Sequence, residues 1–273
     1  MRGLKTIYTI WLRDFKSFIR ERSRVVGMIG QPLFYLLIVG NGINAGMRLN
    51  GSPQGIDYIK FMYPGIIGMS ILFTSMFSGI SIIWDREFGF LKEVLVAPVP
   101  RWGVAIGKSL GGATIASIQS AILIALAPLT GIHLTLAVIA GLLSCAFLIS
   151  FAVTRLGVAI AARMTSMQGF QMLMNFLIMP LYFLSGGMFP MATAPAWMKT
   201  LMAADPLTYG VDALRSIVFS GTLVPTAAGT VSLVQVARTA GLIRWSLGFD
   251  IAVLLAVAAV LAVLGAVSFN RVE

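Results

Sequence analysis

The sequence predicts an all-α membrane protein. Six transmembrane helices are expected, with an N-terminal interfacial helix, a short cytoplasmic helix between the second and third spans, and a re-entrant outer segment. Three observations predict this fold. Hydrophobic residues make up 58% of the 273 and charged residues 11%, with mean hydropathy +0.91, far outside the range of soluble domains. Apolar runs long enough to cross about 30 Å of hydrocarbon recur along the chain. The charges collect between those runs, because an ion in hydrocarbon is costly.

Taken in order, residues 1–24 read as a basic amphipathic helix lying in the membrane interface. Leu4, Ile7, Tyr8, Trp11, Phe15, Phe18 and Ile19 share one face at helical spacing, and Arg2, Lys5, Arg13, Lys16 and Arg20 lie largely away from it. The first span is 25–43, with Gln31-Pro32 expected to bend it, since proline removes a helix hydrogen bond. The second span is 58–83, with Tyr58, Tyr63 and Trp84 placed as interface anchors.

The stretch 84–101, WDREFGFLKEVLVAPVPR, follows. Asp85, Arg86, Glu87, Lys92 and Glu93 exclude it from hydrocarbon. Asp85 is placed as an N-cap and Glu87 in the first turn, where the helix dipole favours an anion. Phe88, Leu91 and Leu95 form one apolar stripe, and Pro98 ends the element, so a short helix is predicted over 85–98. Two readings are open at this point: a helix docked in a groove of another protein, or one resting on lipid.

The third span is 104–127, with Gly107, Gly111 and Gly112 allowing close packing. The fourth is 134–153, continuing as helix towards Arg163, and the fifth is 169–189, with Pro180 and Ser185-Gly186-Gly187 breaking its outer half. Residues 190–246 are an outer segment too broken by proline for a full span. Two short apolar pieces flank Asp205-Pro206, the pattern of half-helices dipping into the membrane. A surface helix is expected over 231–243, and the last span is 247–269. Six spans place both ends on one side. Fourteen Arg and Lys fall on that side against six on the other, so both termini are cytoplasmic and 190–246 faces outward.

The net charge of +10 would suggest nucleic acid in a soluble protein. Here the charges sit in loops, so the anionic inner leaflet is the expected partner and no nucleic acid is. Cys145 is the single cysteine and His133 the single histidine, so no intrachain disulfide and no Cys/His metal spacing exist. No P-loop motif occurs, and Asp250 sits near the outer end of the last span, where an interfacial place is expected rather than a proton relay. Neither catalytic nor metal-ligating residues are predicted. If the chain moves a substrate, the work must come from a partner.

Three stretches carry a family resemblance. Arg86-Glu87-Phe88-Gly89-Phe90-Leu91-Lys92-Glu93-Val94-Leu95-Val96-Ala97-Pro98 is similar to "RE-x-G-[TS]-L-E-x-L-L-V-x-P". Ser185-Gly186-Gly187 with Phe189-Pro190 is similar to "SG-x-x-[FY]P". Asp205-Pro206-Leu207-Thr208-Tyr209 with Asp212-Ala213-Leu214-Arg215 is similar to "NP-[LVI]-[TS]-Y…D-x-[LI]-R". The chain thus resembles the ABC-2 type permeases, the membrane subunits of ABC exporters, in the branch of daunorubicin-type and nodulation lipo-oligosaccharide exporters. Phe90, Lys92 and Asp205 depart from the usual residues.

The resemblance implies a non-enzymatic subunit of the cytoplasmic (inner) membrane. It implies a second permease copy and two separate ABC ATPase subunits, which would bring ATP and Mg. In this reading 85–98 is the coupling helix, with Arg86, Glu87, Phe88, Gly89, Leu91, Lys92, Glu93, Leu95 and Pro98 meeting the ATPase. The substrate path would run between protomers past Met69, Phe73, Met76 and Phe77 of the second span and Met172, Phe176 and Met179 of the fifth. These adaptable apolar residues suit loose recognition, though each would equally serve packing or face lipid. A hydrophobic amphiphile is the favoured substrate, with a polysaccharide or lipo-oligosaccharide as the alternative. A channel would need polar pore-lining rings, and an assembly protein would need no ATPase.

Overall fold

The computed structural model describes residues 2–39, 42, 57–88, 100–132, 134–226 and 229–270. The chain opens with α1 (Arg2–Arg20) and α2 (Arg22–Phe34), and a π-helical turn over Tyr35–Val39 continues the latter. Pro32 lies inside α2 without ending it, and the wider turn begins three residues later. The bend expected at Gln31-Pro32 therefore appears as a local change of helical pitch. A prolyl nitrogen cannot donate to the preceding turn, and a π-turn absorbs the disturbed register.

Helix α3 (Tyr58–Phe77) is the centre of the fold, and every residue from 61 to 72 is buried. After a turn at Ser78-Gly79 the chain resumes as α4 (Ile80–Glu87). Then come α5 (Arg101–Ala125), a 3-10 turn over Ala127–Thr130, α6 (Leu136–Ala161) and α7 (Met167–Leu184). Thr135 caps α6 by accepting from the Val138 N–H, and Ser166 caps α7 by accepting from that of Gly169. Such caps satisfy amides that the helix itself leaves unpaired. Pro180 does not break α7; the break comes at Ser185-Gly186, where Gly186 takes φ 73°.

The segment after α7 contains α8 (Ala196–Ala204) and α9 (Pro206–Ser220), which meet at Asp205. That residue accepts from the Leu207 N–H at 2.9 Å, and Pro206 occupies the first helical position, where its missing N–H loses nothing. The helix expected over 231–243 forms only in part. β1 (Leu223–Thr226) pairs antiparallel with β2 (Gly229–Ser232), with Leu223 opposite Ser232, and only α10 (Leu233–Thr239) is helical. Val224, Thr226, Thr230 and Val231 are β-branched, and they suit a pleated ribbon better than a helix. The last helix, α11, spans Leu247–Asn270.

The packing has one hub. α3 and α6 lie side by side, α5 and α11 flank α6, α9 packs against α3, α6 and α11, and α1 runs along α5. Three helical stretches among the described residues are long and apolar enough to cross a membrane: Tyr58–Glu87, Leu136–Ala161 and Met167–Leu184. α11 carries an apolar run over Leu247–Val263. α5 has the length but carries Lys108, Ser109, Gln119 and Ser120 buried within the protein, which lowers its apolarity. Asp250, near the start of α11, is buried within the protein.

Where α6 crosses the α3–α4 turn, two glycines meet. A Cβ on Gly157 would lie 2.7 Å from the Met76 carbonyl oxygen, and one on Gly79 would lie 2.7 Å from that of Gly157. Both obstacles are backbone, so neither can rotate away. Gly157→Ala is expected to destabilise the protein by about 1–3 kcal/mol, the range for overpacking, measured as thermal unfolding in detergent. Gly30→Ala, at a position where nothing lies within 4 Å, serves as control. Equal unfolding temperatures for the two variants would disprove the close crossing.

Candidate functional site

The charged residues that sequence reading spread over loops and a solvated face converge on one joint. Asp85, in the last turn of α4, is buried. Its carboxylate takes Arg13 of α1 on both oxygens, at 2.5 and 3.3 Å, and Lys108 of α5 at 2.7 Å. Lys108 is itself buried, and its ammonium also reaches Asp14 of α1 at 3.0 Å and Ser81 at 3.1 Å. Three donors therefore find three oxygens, the condition for a tolerable buried ammonium. Burial pushes the Asp14 carboxyl up from its ordinary range, with Lys108 pulling the other way. Two cations and two anions thus join α1, α4 and α5, around a cleft of about 220 Å³ that Trp84 and Phe88 also line.

Small residues allow the approach. Seen from α5, a Cβ on Gly107 would meet Ile10 of α1 at 2.8 Å, and one on Gly111 would meet Asp14 at 3.1 Å. Trp11 adds a hydrogen bond to Thr114 at 2.9 Å. The face of α1 that packs on protein is therefore carried by Thr6, Ile10, Trp11, Asp14 and Phe18, whereas Leu4, Tyr8 and Ile19 stay exposed. The single apolar face read from the sequence is split between protein and surroundings.

This geometry corrects the reading of Asp85 as an N-cap. Asp85 and Glu87 lie in the last turn of α4, not the first turn of a new helix. The apolar run of 80–84 keeps α4 helical to Glu87, and Arg13 and Lys108 engage the Asp85 carboxylate in place of its own backbone. Arg86 points back into the chain: its guanidinium donates to the carbonyls of Ala162 at 2.9 Å and Met164 at 2.8 Å, closing the C-terminal end of α6. Glu87 and Phe88 are exposed. Gly89, Leu91, Lys92, Glu93, Leu95 and Pro98 lie outside the described residues.

The residues assigned to a substrate path divide into three groups. Met69, Phe73 and Phe77 line a cavity of about 330 Å³ with Gln31 and Pro32 of α2 and Gln119 of α5. Met76 is fully buried in the core and does not line it. Met172, Phe176 and Met179 form an exposed apolar stripe on α7, away from that cavity.

A second polar cluster is organised around α9. Arg215 is buried in α9 and donates to the carbonyls of Gly186 at 2.8 Å and Leu242 at 3.0 Å. Its guanidinium lies over the Phe61 ring at 4.2 Å. Asp212, one turn earlier, accepts from the backbone N–H groups of Arg244 at 3.1 Å and Trp245 at 3.0 Å. Burial pulls Arg215 down and pushes Asp212 up from their ordinary values, and each opposes the shift of the other. The D-x-L-R spacing thus clamps α9 to the Ser185-Gly187 turn and to the start of α11.

Sequence reading missed the Arg13–Asp85–Lys108–Asp14 network, because its members lie 72 and 94 residues apart. One signal was present: Asp14 is an acid in an otherwise basic helix, and Gly103, Gly107 and Gly111 recur every four residues on α5, a stripe suited to receiving a partner helix.

The ABC-2 type transporter family model matches residues 5–219. Among curated proteins, the chain is 26% identical over 218 residues to ycf38 of Cyanophora paradoxa, named as a transport permease, covering 78% of this chain and 73% of that one. It is 24% identical over 209 residues to nodulation protein J of Rhizobium leguminosarum bv. viciae, covering 76% and 79%. It is 25% identical over 173 residues to YbhR of Escherichia coli K12, named as a multidrug ABC transporter permease, covering 62% and 46%.

Proposed function

The chain belongs to the ABC-2 type transporter family, and from that premise we propose that it is the membrane-spanning permease subunit of an ATP-driven exporter. It crosses the inner membrane six times, with both termini cytoplasmic and residues 190–246 facing outward as a partly inserted segment. It acts with a second permease copy and two ABC ATPase subunits, which supply ATP and Mg. The coupling stretch 85–98 receives the movement of the ATPase.

One observation carries this reading. Asp85, in the last turn of α4, and Lys108, in α5, are both tied to α1 by partly buried ion pairs. A push on the coupling stretch would displace α1, α4 and α5 together, because packed ion pairs resist separation. The substrate is a hydrophobic amphiphile, in keeping with the apolar cavity beside Met69, Phe73 and Phe77 and with a relative named for multidrug transport. A lipo-oligosaccharide is the second reading, kept because relatives named nodulation protein J are as similar.

The test is a pull-down of the ATPase encoded alongside the permease, paired with an export assay in cells. Glu87→Ala combined with Leu91→Ala is expected to weaken ATPase association and abolish export, while the permease still inserts. Intact binding and export in the double variant would remove 85–98 from the mechanism.

A further inference from the structure

Helix α1 presents three arcs. One packs on α5 through Thr6, Ile10, Asp14 and Phe18. The second is an exposed apolar ridge, with Leu4, Tyr8 and Ile19 at 74%, 59% and 55% exposure and the partly exposed Phe15 between them. The third, beside the ridge, is a groove of about 450 Å³ lined by Thr9, Leu12, Arg13, Lys16, Ser17 and Arg20. These residues fall at intervals of three or four, so one side of α1 carries them all. Three cations and two hydroxyls border the groove, and no carboxylate lines it. Lys16 and Arg20 form no ion pair among the described residues.

We propose that this groove holds the phosphate-bearing headgroup of an anionic phospholipid, whose acyl chains lie along the Leu4–Tyr8–Phe15–Ile19 ridge. Charge complementarity selects the headgroup. A soluble anion would use the cations alone, whereas a phospholipid would also use the adjoining ridge for its apolar tail. Arg13 links this site to the joint. Its side chain is 41% exposed and lines the groove while its guanidinium holds Asp85. A headgroup seated here would therefore meet the buried network at its most exposed member. The inference rests on α1 lying in the membrane interface, and not on the ATPase.

The test uses the purified permease alone in detergent, titrated with phosphatidylglycerol or phosphatidylcholine and read by native mass spectrometry. The wild type is expected to retain phosphatidylglycerol preferentially. Lys16→Gln with Arg20→Gln is expected to weaken that retention about thirty-fold, from roughly a factor of five per basic residue near an anionic surface. Phosphatidylcholine retention and thermal unfolding should not change. Lys16→Arg with Arg20→Lys should restore the preference. Equal retention of the two lipids by the wild type, or an unchanged preference in the Gln variant, would overturn the proposal. Displacement of phosphatidylglycerol by millimolar inorganic phosphate would reassign the groove to soluble anions. No ATPase is present, so none of these outcomes bears on the export reading.

Discussion

Lys108→Met is expected to lower stability by about 3–5 kcal/mol, the range for removing one partner from a buried ion pair, and to abolish ATP-dependent export. Lys108 is 4% exposed and is the only described cation that touches both Asp14 and Asp85. Without it, Asp85 keeps Arg13, but Asp14 is left half-buried against Gly111 without its cation. The double substitution Lys108→Met with Asp14→Asn removes one charge of each sign and leaves the Arg13–Asp85 pair. It is expected to recover most of the stability, because a neutral amide is far less costly to bury than a lone carboxylate. Export should stay lost, since α1 would no longer be tied to α5 by charge. Thermal unfolding in detergent reads the first effect, and transport into inverted vesicles carrying the partner ATPase reads the second. If export returned together with stability in the double variant, the network would be a structural support and no part of the drive train.

How much of this was legible in the sequence depends on the range of the interaction. The positions of α3, α6 and α7 follow from apolar length, and the break between α8 and α9 follows from Asp205-Pro206, whose cap acts over two residues. Local chemistry sets these features, so a local pattern reveals them. The error at Asp85 has the opposite origin. An acid followed by an apolar stripe looks the same whether it caps its own helix or turns to a lysine elsewhere, and here Lys108 and Arg13 decide. The partners of Arg86 were hidden for a similar reason, since the carbonyls it closes belong to the end of α6. The β1–β2 hairpin was missed although Val224, Thr226, Thr230 and Val231 carried the signal. Only its last two residues, Val231 and Ser232, fell inside the segment read as a helix over 231–243. The motif around Asp212 and Arg215 was recognised by resemblance, but nothing in the spacing said that it binds backbone rather than a ligand.

Arg215→Lys is expected to be nearly as damaging as Arg215→Gln, although it preserves the charge. The guanidinium does three things at once. Nη1 donates to the Leu242 carbonyl, Nη2 donates to the Gly186 carbonyl, and the plane stacks on Phe61. Those two carbonyls lie on separate segments, 29 residues before Arg215 and 27 after it. Only a planar fork spans both while lying flat on a ring. An ammonium is a point charge that reaches one carbonyl and cannot stack in the same way. Lysine would also leave at least one buried carbonyl without a donor, at roughly 1–3 kcal/mol. It would bury a more strongly hydrated cation against Asp212 without the compensating bonds, so a total loss of about 3–5 kcal/mol is expected. Asp212→Asn should be milder, at about 1–2 kcal/mol, because its amide oxygen can still accept from the Arg244 or Trp245 N–H. Detergent unfolding of the three variants, with cell-surface labelling of a cysteine placed at Thr222 in a Cys145→Ser background, separates clamp from charge. A clamp predicts that Lys and Gln fall together, well below Asn, with the outer segment loosened in both. An Arg215→Lys protein within about 1 kcal/mol of wild type, the size of a weak exposed pair, would mean that charge alone is needed there and that the fork geometry is incidental.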